Sequence, residues 1–118
     1  MAGRGGRIVV VISTAALSGA AGLVAYTAAA EGQRLLAKSA ARQWGAEGIA
    51  VNCLAVAPEL VVAGSTAAGD VSLAPAALGH SGDPAGDLGP VVSFLVSEAS
   101  HFLTGATLSA DGGVWMSP

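Results

Sequence analysis

Charge is what this chain has least of. Of its 118 residues only 11% are charged, five Lys or Arg against eight Asp or Glu. That is too little to wrap a small monomer in a solvated shell, and it points to a buried or oligomeric domain. No basic cluster occurs and the net charge is −3, which excludes the electrostatic footprint of a nucleic-acid binder. There is one cysteine, Cys53, so an internal disulfide is excluded and a reduced, cytoplasmic setting is expected. His80 and His101 stand alone, and without a second cysteine no metal-ligand spacing exists. The length allows a single domain, 1–118.

Hydrophobic residues, by contrast, make up 53% of the chain, enough for a core and too many for a disordered segment. Residues 8–30 carry no charge and follow Arg4 and Arg7. Two readings compete for that stretch. One is a membrane span or a signal peptide with Ala28 and Ala30 at the cleavage site. The other is a buried strand followed by a helix. Ser13, Thr14, Ser18, Gly19 and Gly22 interrupt the run, and its composition changes from β-branched to Ala-rich. The second reading is favoured, and no membrane partner is expected.

The apolar run Arg7 to Ser13 predicts a parallel strand over 7–13, covered on both faces. Residues 14–24 are small and contain glycine, which predicts a loop. Good helix formers from Ala25 to Trp44 predict a helix over 25–44, with Gly45 as its C-cap. A second buried strand is expected over 49–57, completing a strand–helix–strand unit. Residues 58–82 lose periodicity and predict a long mobile loop. Asp83-Pro84 marks a helix start, with the firm part of that helix expected over 87–97 and Pro90 in its first turn. A third strand is expected over 106–109, before the turn Asp111-Gly112-Gly113.

Three ordered blocks carry more specific information. The first, GRIVVVISTAALSGAAGLVAYTAAAEG, places Ser13 thirteen positions before Tyr26. The others are GAEGIAVNCLAVAPELV and FLVSEASHFLTGATLSADGGVW. Together they resemble the carboxy-terminal half of the short-chain dehydrogenase/reductases across nearly the whole chain. The resemblance implies an α/β, partial Rossmann-like fold of about three parallel strands with flanking helices. The amino-terminal, cofactor-binding half is missing. It also implies NAD(P)-dependent oxidoreduction of a carbonyl or secondary alcohol, with Tyr26 as acid/base and Ser13 polarising the substrate oxygen. The mobile loop 58–82 would carry specificity.

The chain departs from the family pattern at several places. Ala30 stands where a Lys lowers the pKa of the Tyr and holds the nicotinamide ribose. Val10 replaces a frequent Asn. Val56-Ala57 replaces Pro-Gly, and Val61 falls where a Thr is common. No GxxxGxG follows a strand, because Gly3, Gly5 and Gly6 all precede the first one. NAD(P) is therefore implied by resemblance only, with poor binding expected of the chain alone. Lys38 is a poor substitute for the missing amine, about 12 Å from Ala30 along the helix.

Each candidate residue keeps a second reading. Ser13 can be a loop hydrogen-bonder, and Tyr26 can be an aromatic packed at a helix start. Asn52 is expected to satisfy backbone groups, Cys53 to be inert core, and Trp44 and Trp115 to be packing anchors. Two functions follow. One is an oxidoreductase, impaired or inactive as an isolated chain. The other is a non-catalytic pseudo-subunit that assembles with a full-length dehydrogenase. Both imply oligomers, either with itself or with a subunit of the same family, through the Ala-faced helix 25–44 and the DGG segment. An open sheet edge also invites association.

Overall fold

The computed structural model describes residues 3–61 and 75–116. Its centre is a parallel three-stranded sheet in the order β1-β2-β3. β1 spans Gly6–Ser13, β2 Ile49–Val56 and β3 Thr107–Ala110. β1 and β2 pair along their full length, from Gly6 with Ile49 to Ser13 with Val56. β3 joins only the second half of β2, from Cys53 with Thr107 to Val56 with Ala110. Every residue of β2 is buried, as a central strand covered on both faces must be.

The helices divide between the two faces. α2 (Val24–Trp44) turns Ala30, Ala37 and Ala41 inward, and these small side chains let it settle against Ile12, Val51, Cys53 and Ala55. α4 (Gly89–Val96) covers the opposite face, where Leu95 packs with Leu54 and Val56. Ahead of α4 comes a π-type turn over Pro84–Leu88. The Asp83 carboxylate caps it through the Gly86 N–H, and Pro84 sits in its first turn. The helix expected over 87–97 thus begins as that wider turn and stops at Val96, where Ser97 adopts an extended conformation.

Three further expectations differ from the structure. Residues 14–24 are not all loop, because Thr14–Ser18 form a short helix, α1. Its start is set by the Ser13 Oγ, which accepts from the Ala15 N–H, and its end by Gly19 in the left-handed region. The expected mobile loop 58–82 opens instead with a helical turn, α3 (Pro58–Val61), in which proline occupies the first position. Its residues 62–74 lie outside the described residues. Residues 76–79 are tied down, with the Leu78 N–H on the Gly112 carbonyl and the Gly79 N–H on the Ala76 carbonyl.

The chain reversal after α2 also falls later than expected. Gly45 is right-handed and begins a 3-10 turn, Gly45–Glu47, and the left-handed glycine is Gly48 at φ 78°. Here a glycine is required twice over. A β-carbon on Gly5 would lie 2.9 Å from the Gly48 carbonyl oxygen, the same oxygen that accepts from the Gly6 N–H. This contact fixes the register at the start of β1. The uncharged stretch 8–30 is divided among β1, α1 and α2, and among the described residues no helix is long and apolar enough to cross a membrane.

Candidate active site and its surroundings

Ser13 is the last residue of β1, and Tyr26 is the third residue of α2. The strand end and the helix start meet, and the Ser13 N–H donates to the Tyr26 Oη at 3.1 Å. The phenol oxygen thus spends a lone pair on the backbone and keeps its proton to give. The Ser13 Oγ accepts from the Ala15 N–H at 3.0 Å, so it too retains its proton. Among the described residues neither hydroxyl donates to a protein acceptor. Two O–H donors at the carboxyl end of a parallel strand are what a substrate carbonyl or alcohol oxygen needs.

Access to the two differs. Tyr26 is half-buried, whereas Ser13, the N-cap of α1, is 0% exposed. A substrate oxygen can meet the phenol directly, whereas the serine hydroxyl has no open path to solvent. Both readings of Ser13 therefore have a physical basis, since it caps a helix and stands beside the tyrosine.

One helical turn beyond Tyr26, Ala30 is 2% exposed and clusters with Ile12, Ala16 and Ala55, with Tyr26 packed at the border. The position is an apolar contact and offers no cation to the phenol. The next inward turn carries Arg34, whose Nε lies 2.9 Å from Glu31 Oε1 and whose Nη2 lies 2.7 Å from Oε2. Hydrogen bonding to Glu31 raises the Arg34 pKa further, so this cation is already engaged. Lys38 is exposed, two turns below Ala30.

The described residues do not fit the pyrophosphate of a dinucleotide. Two turns lead from a strand straight into a helix. In the first, the Ser13 Oγ occupies the Ala15 N–H, and no glycine is present. In the second, Pro58 has no N–H to offer and Glu59 brings a negative charge into the first helical turn.

The other candidates are structural. The Asn52 Nδ2 donates to the Leu103 carbonyl and its Oδ1 accepts from the Ala106 N–H, lashing β2 to the approach of β3. Cys53 is buried, and burial pushes its thiol up, away from the reactive thiolate. His80 and His101 are exposed, and the nearest acid to His80 is Asp87 at 3.8 Å. No group of three metal-ligating side chains occurs among the described residues. Asp111, read in the sequence only as the start of a turn, is buried and accepts from the Gly113 and Trp115 N–H groups. Its position before two glycines was the available signal. Sequence reasoning passed over the Glu31–Arg34 pair, although its i,i+3 spacing on a helix was legible.

Comparison with known proteins places this geometry. A family model described as enoyl-(acyl carrier protein) reductase matches residues 1–115. A short-chain dehydrogenase/reductase, eriH of Hericium erinaceus, is 38% identical over 94% of this chain and 45% of its own length. The 3-oxoacyl-[acyl-carrier-protein] reductase FabG of Vibrio cholerae is 36% identical over 96% of this chain and 47% of its own. A crystal structure described as a short-chain alcohol dehydrogenase from Sinorhizobium meliloti 1021 superposes with a TM-score of 0.80 at 29% identity. It covers 93% of this chain and 45% of that one. The chain thus spans a little under half the length of the relatives it matches.

Proposed function

The chain belongs to the short-chain dehydrogenase/reductase family, and from that premise we propose that it carries the substrate-oxygen side of an oxidoreductase acting on a carbonyl or secondary alcohol. The observation that supports this reading best is the 3.1 Å contact between the Ser13 N–H and the Tyr26 Oη. It holds the phenol at the end of the strand with its proton free. Tyr26 is the proton donor to the substrate oxygen, or the acceptor in the reverse direction. Ser13 steadies the phenol through its backbone N–H, and its hydroxyl is the second donor on the substrate-oxygen side.

Activity is impaired in the isolated chain, for two reasons. Position 30 supplies no cation beside the phenol, and the described residues offer no cradle for a dinucleotide. An NAD(P) cofactor enters this reading only with further polypeptide, seated at the free edge of β1. The vicinity of β1 favours such a partner, since Val11 is 49% exposed and Ile8, Val9 and Val10 before it are only half-buried.

The assembly that co-purifies with the full chain provides the test. It should reduce an acetoacetyl thioester with NADH or NADPH, and Tyr26→Phe should lower the rate by about 100-fold or more, the scale of lost general acid catalysis. Turnover unchanged by Tyr26→Phe removes Tyr26 from the chemistry and the reading with it. The thioester is chosen because FabG, among the relatives, is a 3-oxoacyl reductase.

A second reading, a non-catalytic pseudo-subunit, has its own support. The outer face of α2 leaves Val24, Leu35 and Leu36 exposed, the last two by 55% and 69%, along a helix of small residues. In that reading the chain joins a full-length dehydrogenase, or a second copy of itself, through this face. Native mass separates the two readings. A hetero-complex whose turnover survives Tyr26→Phe but is lost with Leu36→Glu establishes the pseudo-subunit.

A further inference from the structure

The two edges of the sheet differ in length. β3 closes one side with four residues, and β1 forms the other with eight, paired to β2 without a bulge from Gly6 to Ser13. The Gly6 N–H donates to the Gly48 carbonyl, so the backbone of Gly6 faces β2. Backbone groups alternate sides along a strand. Ile8, Val10 and Ile12 therefore also face β2, and Arg7, Val9, Val11 and Ser13 face outward. The Ser13 N–H is taken by the Tyr26 Oη. The N–H and C=O groups of Arg7, Val9 and Val11 have no backbone partner among the described residues. A row of open backbone groups templates another strand, and native edges of this length are shielded by charge, proline or a bulge. None of these occurs from Ile8 to Ser13.

We propose that a second copy of this chain pairs with β1, antiparallel across a two-fold axis, and joins the two three-stranded sheets into one of six. The edge is complementary to itself. With the axis at Val10, Val9 of each copy stands opposite Val11 of the other, and Ile8 opposite Ile12. Val9 and Val11 point to the face that α4 covers. There Leu95 of α4 seats on Leu54 and Val56 of β2, and Val11 is left 49% exposed. Val9 of the second copy covers it. An axis at Val9 would instead set Val11 against Arg7, so burial of Val11 selects the first register.

The same register answers the backbone accounting. All outward groups of Val9 and Val11 gain partners, and the Arg7 N–H meets the Ser13 carbonyl of the other copy. The pairing stops there, because the Ser13 N–H already holds the phenol. Charge does not oppose the contact. Arg7 is the one charged residue of β1 and lies 3.6 Å from Glu98 of its own chain, and the register keeps the two Arg7 residues at opposite ends. Two copies still offer no dinucleotide cradle among the described residues, so the pair is a cofactor-free form. Polypeptide that brings a cofactor to this edge competes with it. The inference concerns the edge alone and stands apart from the chemistry of Tyr26.

Native mass and disulfide mapping of the purified full chain provide the test. The native mass should be twice the 11.3 kDa of the chain. Val11→Pro removes one outward N–H and leaves the β2 ladder intact, since proline is tolerated on an edge, and it should halve the native mass. Val11→Lys should do the same from a position exposed enough to carry the charge. In a Cys53→Ala background, Val10→Cys should give a disulfide-linked dimer on mild oxidation, because residues on the axis have Cα atoms about 4.5 Å apart. Val9→Cys should not, because the two positions are offset by two residues, about 8 Å apart. A monomeric native chain overturns the proposal. So does a dimer that both Val11 variants leave intact, or one that Val9→Cys cross-links and Val10→Cys does not. A dimer lost with Leu36→Glu but kept with Val11→Lys assigns the contact to the outer face of α2 and overturns it too. Mass that keeps growing with concentration has the same meaning, because a two-fold contact closes. Turnover enters none of these readouts, so failure of the Tyr26 mechanism would leave them unchanged.

Discussion

The strand pair beneath α2 and the third strand beside it are built from the same parallel geometry and have opposite characters. β2 is buried at all eight positions, and β1 pairs with it along its full length. β3 has four residues, none fully buried, and shows hydroxyls where its neighbours show apolar side chains. One helix covers two strands and stops. Stability is concentrated where the helix lies, and unsatisfied polar chemistry is left where it does not.

The largest effect should come from cutting into the covered region. Leu54→Ala removes a side chain that is 1% exposed and packed with Val56 and Leu95, and should cost about 2–5 kcal/mol in urea unfolding. Its register partner Leu108 is only half-buried, and Leu108→Ala should cost less than half as much. Equal losses at the two positions would erase the contrast between the strands.

The link between the regions should come next. Asn52 ties β2 to the Leu103 carbonyl and the Ala106 N–H. Asn52→Ala leaves both groups unpaired and should cost about 1–3 kcal/mol. Amide exchange locates the damage, with protection lost through β3 and retained between β1 and β2. Uniform loss would mean that the sheet opens as one unit. Gly48→Ala should be milder, about 1–2 kcal/mol, because it forces a β-carbon into the left-handed region. Here exchange should quicken at the Gly6 N–H, whose acceptor is the Gly48 carbonyl.

The covered region was also the more legible one in the sequence. The run Ile8 to Ile12 and the Ala-rich stretch after Tyr26 declare a doubly covered strand and a closely packed helix, since composition alone sets both. α1 was not legible, because it is a single turn whose existence depends on one capping bond from Ser13 to Ala15. Gly45 looked like the helix stop, but the chain runs on through the 3-10 turn Gly45–Glu47, and Gly48 is the left-handed cap, its N–H on the Gly45 carbonyl. For the site, the spacing of Ser13 and Tyr26 was plain. That the backbone N–H of Ser13, rather than its hydroxyl, meets the phenol depends on that same capping bond. A cavity at β3 was invisible, since it joins Leu17, the Glu31–Arg34 pair and Thr107 through a register set by parallel pairing across nearly half the chain.

The smallest effect expected is electrostatic, and it lies where the two regions touch. Cys53 is the β2 residue paired with Thr107. Burial raises its thiol pKa, outweighing the lowering influence of Arg34 and Lys38. In the unfolded chain the thiol ionises near about pH 8.5, while the folded chain holds its proton to higher pH. Between those two values the folded state binds more protons, so its stability falls as pH rises. Below about pH 8.5 both states are neutral and the contribution is fully present. Urea midpoints measured from pH 7 upward should therefore decline through the alkaline range, and Cys53→Ala should flatten that part of the decline. The same thiol should resist a disulfide reagent at pH 8 in the folded chain and react once urea exposes it. Rapid reaction without denaturant would show that the boundary at β3 opens readily, and would turn the contrast between the strands into one of dynamics as well as composition.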